Sequence, residues 1–230
     1  DLYDGLSVMF SQRTVDGQQA APDEVLLGRR ATPVALVRTA VVGGSSGNYT
    51  LTINGEAFVV PWDTDVATTA TAIRAAVNGS TQPVTASGAG ANVVLTADVA
   101  GVPFTSDATH GTPANFTIST TTANVGIGED IADWRAEDDR WTFLLETTRT
   151  PGVQQYAAET CAALTRPRLV VLQTSDALAQ DGGSTDDLAS LLGSAGLGLT
   201  DVWIIYHDDD NEFVDFAIVG YVCGAGLPGD

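Results

Sequence analysis

The chain is 230 residues long and carries 29 acidic against 10 basic side chains, a formal net charge of −19 at pH 7. Such a charge repels nucleic acid and anionic membrane, so neither is expected as a partner. The length suffices to bury roughly 70% of the unfolded surface without covalent staples, in one domain or two.

Every basic residue is Arg, and Asp heavily outnumbers Glu. The absence of Lys fits either a GC-rich genome or a salt-adapted source. Cys161 and Cys223 stand far apart in apolar helical contexts, which reads as two small buried hydrophobes rather than a disulfide framework. No segment approaches the roughly 18 apolar residues of a membrane span. The chain opens on Asp1 with no signal peptide in view and closes on Leu227-Pro-Gly-Asp230, inside a turn pattern. Both ends read as cut, so a fragment of a longer polypeptide is expected.

Residues 1–36 open with Leu2, Tyr3, Leu6, Val8, Met9 and Phe10, a spacing open to helix or strand. A polar loop is predicted from Gly17 to Asp23, around Pro22. Val25-Leu-Leu-Gly28 reads as a short strand. The following Arg29-Arg30 pair reads as cations meeting neighbouring carboxylates rather than as an anion site.

Residues 37–127 change character, being rich in Thr, Ala, Gly and Asn with few charges. Strands are predicted at Val37 to Val42, Tyr49 to Ile53 and Glu56 to Val60, the last two joined by Asn54-Gly55, the strongest short-range hairpin signal. Thr64 or Asp65 caps a helix with Val66, Ala70, Ile73 and Val77 on one face, ending at Asn78-Gly79. Further strands are predicted at Val84 to Ala86, Asn92 to Ala97 and Asn115 to Thr120.

Residues 128–230 hold the run that organises the chain, Arg168-Leu-Val-Val-Leu-Gln-Thr174, which reads as a strand covered on both faces. Trp141-Thr-Phe-Leu-Leu-Glu146 and Val202-Trp-Ile-Ile-Tyr206 repeat the pattern around it. Strand, helix, strand, helix, strand is the signature of a parallel sheet with right-handed crossovers. Glu129 to Arg135 is a predicted helix with Ile131 and Trp134 on its buried side. Thr150 caps the next, with Pro151 at its first position and Val153, Ala157, Cys161 and Leu164 as its stripe. Ser184 caps a third, with Asp186 and Asp187 in its first turn, Leu188, Leu191, Leu192 and Ala195 inward and Gly196 at its end. Phe213 to Tyr221 is the last, with Phe216, Ala217 and Gly220 close to the sheet.

Ligands of an open parallel sheet bind beyond the carboxyl ends of its strands. There the chain supplies Thr147-Thr-Arg149, Thr174-Ser-Asp176 and His207-Asp-Asp-Asp210. A metal-assisted hydrolase would use Asp176 with Asp208 or Asp210 as ligands and Arg149 for a phosphate. The loop from Asp208 lacks the residue order of a calcium loop, so its spacing favours a solvated acidic loop. Ser175 and His207 suggest a triad, but no Gly-x-Ser-x-Gly elbow precedes a nucleophile. His110 lies in a Thr/Gly/Pro stretch. Gly43 to Gly47 has no following Lys and is no phosphate loop. Asn48, Asn78 and Asn115 head glycosylation patterns that chance explains in so Thr-rich a segment. No catalytic, cofactor-binding or metal-binding residues are assigned.

The order of elements resembles the contractile tail sheath proteins of myovirus-type phages. Phe10-Ser-Gln12 precedes Pro22 and the stretch ending in Gly28-Arg-Arg30. An inserted module follows, with Gly47-Asn-Tyr-Thr-Leu-Thr-Ile-Asn-Gly-Glu-Ala-Phe58, Ala70-Thr-Ala-Ile-Arg-Ala-Ala76, Val93-Val-Leu-Thr-Ala97 and Ala100-Gly-Val-Pro-Phe104; it is similar to one found in many phage tail proteins. Trp141-Thr-Phe-Leu-Leu, the Leu169 strand, Tyr206-His207 and a helix closing in Gly226-Leu-Pro-Gly229 complete the likeness. In that family a similar helix and turn lead into a further C-terminal domain, which is absent here along with the extended terminal arms.

The expected fold class is α/β: a mainly parallel sheet flanked by helices, formed by residues 1–36 and 128–230, with residues 37–127 inserted as a β-rich protruding module. The resemblance implies a structural protein of the virion, made in the host cytoplasm, with identical sheath subunits and the tail tube as partners and no cofactor. The alternative is an α/β hydrolase- or phosphatase-like enzyme using the acidic strand-end loops. With 19 acidic against five Arg residues from Gly128 to Asp230, and no arm, the isolated chain is expected to be monomeric.

Overall fold

The computed structural model describes residues 2–13, 17, 22, 24–166, 168–194 and 201–224. Most of the loop predicted from Gly17 to Asp23, the helix end placed at Ala195 and Gly196, and the Gly226–Gly229 turn fall outside them. The chain divides into two compact units: Asp1–Arg29 with Ile131–Asp230, and Arg30–Asp130.

The unit Arg30–Asp130 holds two antiparallel sheets and a helix. One sheet has the order β4 (Val84–Ser87), β5 (Asn92–Ala97), β1 (Val37–Val42), β7 (Phe116–Thr122); the other has the order β3 (Glu56–Pro61), β2 (Asn48–Ile53), β6 (Ser106–His110). Strand alternation decides what is buried: Ala40 and Val42, Leu51 and Ile53, Val93 and Leu95 point inward while their neighbours face out. Helix α2 (Val66–Asn78) adds Ala70, Ile73 and Val77 to the same apolar cluster. Its N-cap is Asp65, whose carboxylate accepts from Thr68 N–H at 2.7 Å, and that bond holds the carboxyl below its usual pKa. The β2–β3 turn is Asn54-Gly55, with φ of 47° and 87°. The Asn54 side-chain Oδ1 also accepts from Thr105 N–H at 2.9 Å, which ties the turn to the start of β6. The unit's two ends meet at a bridge between Val34 and Val125, with N–H···O bonds of 2.9 and 3.2 Å.

The other unit is built on a three-stranded parallel sheet, β8 (Phe143–Leu145), β9 (Leu169–Thr174) and β10 (Val202–Tyr206), with β9 central. Helix α1 (Leu2–Ser11) packs against α6 (Val214–Gly224), and both contribute to the cluster of Met9, Val171, Phe213, Phe216 and Val219 on one face of β9. Val170 and Leu172 point to the opposite face and are fully buried, and α4 (Pro151–Ala162) packs against β9 with α5 (Leu188–Ser194) beside it. Pro151 occupies the first turn of α4 as predicted, although the Thr150 hydroxyl makes no capping bond. The cap of α5 is Asp187 rather than Ser184; its carboxylate accepts from Ala189 N–H at 2.9 Å and Ser190 N–H at 3.1 Å. Burial pushes the Cys161 thiol up to about 12, so it is an inert apolar filler. Helix α3 (Ile127–Glu137) is closed at its start by Glu129, which accepts from Gly126 N–H at 2.9 Å, and it buries Ile127 and Ile131.

The expected fold class is overturned. Seven of the ten strands of the described residues pair antiparallel, and parallel pairing is confined to β8, β9 and β10, so the architecture is mixed α+β. The parallel sheet falls short of the expected one at two places. Val25–Gly28 forms no strand, and its Leu26 and Leu27 are 47% and 61% exposed. The run Trp141–Glu146 pairs over three residues only, and at its start the Arg168 guanidinium takes the Trp141 carbonyl and stacks 4.3 Å from its ring. In the other unit, β6 adds an antiparallel strand where a loop around His110 was predicted, with His110 opposite Tyr49.

Two expectations for stability follow from this packing. A Cβ at Gly220 of α6 would lie 2.3 Å from the Met9 carbonyl oxygen, whereas one at Gly193 of α5 meets nothing within 4 Å among the described residues. Gly220→Ala should therefore destabilise by about 1–3 kcal/mol through overpacking, and Gly193→Ala should stabilise by about 0.5–1 kcal/mol through helix propensity. Urea titration of both variants checks the opposite signs. The cluster in Arg30–Asp130 draws all its members from that unit, so residues 30–130 expressed alone should melt cooperatively by circular dichroism. A sloping, non-cooperative melt would show that this core needs the rest of the chain.

Candidate functional site

The polar groups at the carboxyl ends of the parallel strands are brought together, but by bonds to one another. Ser175 donates its hydroxyl proton to Asp210 Oδ2 at 2.9 Å, not to His207. His207 Nδ1 accepts from Asp209 N–H at 3.2 Å, and its Nε2 lies 3.3 Å from Glu212 Oε2. Asp176 caps a short 3₁₀ turn by accepting from Leu178 N–H at 2.9 Å. Asp209 accepts from the Asn211 backbone N–H at 2.8 Å, which holds its carboxyl below the usual range. Asp208 is 86% exposed. No group of three or more His, Cys, Asp or Glu among the described residues is placed to hold a metal ion.

Arg149, the candidate phosphate ligand, forms a two-pronged pair with Asp215 at 2.8 and 3.1 Å. It also donates to the Glu146 carbonyl at 3.1 Å, and its guanidinium lies 5.6 Å from the Phe213 ring centroid. Asp215 is fully buried, so this is a charge pair of the interior, where an unpaired carboxylate would be costly.

Beside it, buried Gln173 uses its whole amide. Its carbonyl accepts from Val214 N–H at 2.9 Å and Asp215 N–H at 3.4 Å, while its NH₂ donates to the Glu212 and Asp209 carbonyls at 2.7 and 3.3 Å. Gln154 of α4 donates to the Gln173 backbone carbonyl at 2.8 Å. Gln173, Asp215 and Gln154 went unnoticed in the sequence. The available signal was three polar residues inside apolar patterns, at positions where the periodicity demands burial.

The remaining sequence candidates are also bound into structure. Arg30 pairs with Asp130 at 3.3 Å. In the Gly43–Gly47 loop, Tyr49 donates to the Gly43 carbonyl at 2.5 Å, Gly43 N–H donates to the Asn115 carbonyl at 2.7 Å, and His110 Nε2 lies 2.8 Å from the Ser46 carbonyl. Asn78 exchanges both side-chain bonds with the Ala86 backbone, at 2.8 and 2.9 Å. What these groups do chemically is to fix loops and helix ends.

No protein-family profile matches the chain, and no curated protein sequence matches it. Among solved structures, a chain from Mycobacterium phage Patience aligns at 17% identity, covering 48% of this chain and 53% of that one, with a TM-score of 0.29. The match thus spans about half the length of each.

Proposed function

We propose that this chain is the globular outer portion of a contractile phage tail sheath subunit, which assembles around the tail tube and contracts during genome delivery. The observation that carries the reading is the order of elements. A helix that ends within the Phe10-Ser-Gln12 motif comes first, then a self-contained β-rich unit that begins and ends at the Val34–Val125 bridge, then the three parallel strands and α6. That order follows the sheath-like pattern of motifs in the sequence. The use of Arg149, Asp215 and Gln173 to fix α6 is in keeping with a subunit whose work is mechanical.

In such an assembly the energy of contraction resides in a metastable packing of subunits, so surface mutations act on assembly rather than on turnover. The partners are identical subunits and the tube. The acidic surface disfavours nucleic acid, and its like-charge repulsion keeps the isolated 230-residue chain monomeric. Electron microscopy of the encoding particle, with an antibody against residues 30–130, is expected to decorate a helical sheath along the tail. Label confined to the capsid, baseplate or fibres would overturn the reading.

A further inference from the structure

The stretch Glu24–Arg29 is held firmly while presenting apolar side chains to solvent. Val25 is half-buried against the cluster of Met9, Val171, Phe213 and Phe216. Glu24 pairs with Arg140 at 3.4 Å. Gly28 lies flat on Trp134, so closely that a Cβ there would sit 2.3 Å from the ring. Between these anchors Leu26 and Leu27 point outward, and Arg29 is exposed beside them. Two exposed Leu side chains held in place, next to a cation, are an ordering cost without an evident return in the folded unit.

The same unit contains a groove of about 340 Å³ between α1 and the start of α6. Val8, Phe213, Val214 and Ala217 line it, with Asp4 and Glu212 as its carboxylates. The Glu212 side chain is 67% exposed, with His207 as its neighbour. The volume is at the small end of the roughly 300–1,000 Å³ typical of ligand clefts. Its chemistry is the complement of the Leu26–Arg29 stretch: apolar floor for Leu, carboxylates for guanidinium.

We propose that Leu26-Leu27-Gly28-Arg29 of one copy docks in this groove of a second copy, with leucine on the floor and the Arg29 guanidinium against Glu212 and Asp4. The proposal rests on the assembly reading and gives it a specific contact. In a chain of net charge −19, a contact that brings a cation to carboxylates is one of the few that does not add like-charge repulsion. Peg and groove are different surfaces, so the contact is head-to-tail, closing into a ring or, where the rotation does not close, propagating as an open helical array. So short a segment buries far less than the roughly 1,200 Å² of a stable interface. The contact is therefore weak between free chains and effective only where other contacts raise the local concentration.

A synthetic peptide of residues 24–31, capped at both ends, titrated into the full ¹⁵N-labelled chain reads this contact directly. Saturable amide shifts are expected at Val8, Val214 and Ala217, with a Kd of about 1 mM. Glu212→Arg in the protein, or Arg29→Glu in the peptide, should weaken binding about tenfold or more. The peptide variant leaves the protein untouched, so misfolding cannot account for its loss. Absence of saturable shifts, shifts away from the groove, or equal binding of a scrambled peptide would overturn the proposal. Particle imaging reads location alone, so the contact and the sheath reading fail separately.

Discussion

The C-terminal unit depends on one buried amide. Gln173 stands at the end of the central strand β9, where the side chain on its face must enter the interior. An amide there is tolerated only if all its bonds are made, since a buried unsatisfied group costs about 1–3 kcal/mol. Its partners are the backbone groups of the loop after β10 and the first turn of α6. Those bonds satisfy the Asp215 N–H at the helix start and add to the Val214 N–H, which also reaches the Glu212 carbonyl at 3.0 Å. They also bring Asp215 to Arg149 and Phe213 to Phe216, which meet edge-on with centroids 5.6 Å apart. With α6 fixed, α1 packs against it, and the groove between them takes its shape.

At the strand ends of this sheet several polar side chains are bound by the protein itself, while Asp208 stays exposed. The acidic side chains of Asp176, Asp209 and Asp187 are occupied as local caps, each accepting backbone N–H bonds two or three residues ahead. Asp is better suited to that task than Glu, since its short side chain reaches its own neighbouring backbone. The Asp-over-Glu bias therefore has a structural use in part, apart from any origin in the genome or the habitat.

Local structure was legible in the sequence wherever the rule was local. Val37–Val42 and Asn92–Ala97 form strands at the predicted limits, Asn54-Gly55 turns the hairpin, and Asp65 caps α2. Pairing was less legible because it is decided at a distance. Ser106-Asp-Ala-Thr-His110 has little apolar alternation, yet it is a strand because β2 offers it an edge and the Tyr49 ring stacks 4.5 Å from His110. Val25–Gly28 has the composition of a strand and is none, because Gly28 is committed to Trp134 and no strand edge pairs with it. The fold class was misjudged for the same reason: the apolar runs near Leu169 dominate the sequence, while antiparallel pairs dominate the backbone. Of the strand-end cluster, the exposed acids were visible and their buried organiser was not.

The central claim is that Arg149, Asp215 and Gln173 lock α6 in place. A double-mutant cycle on Arg149 and Asp215, read by urea unfolding of the full chain, tests it most directly. Arg149→Leu and Asp215→Leu should each cost about 3–5 kcal/mol by stranding a buried charge. The double variant should cost less than their sum by about 2 kcal/mol or more, since neither charge is then left alone. Additivity within about 0.5 kcal/mol, with small single effects, would contradict the account and free Arg149 for a bound anion.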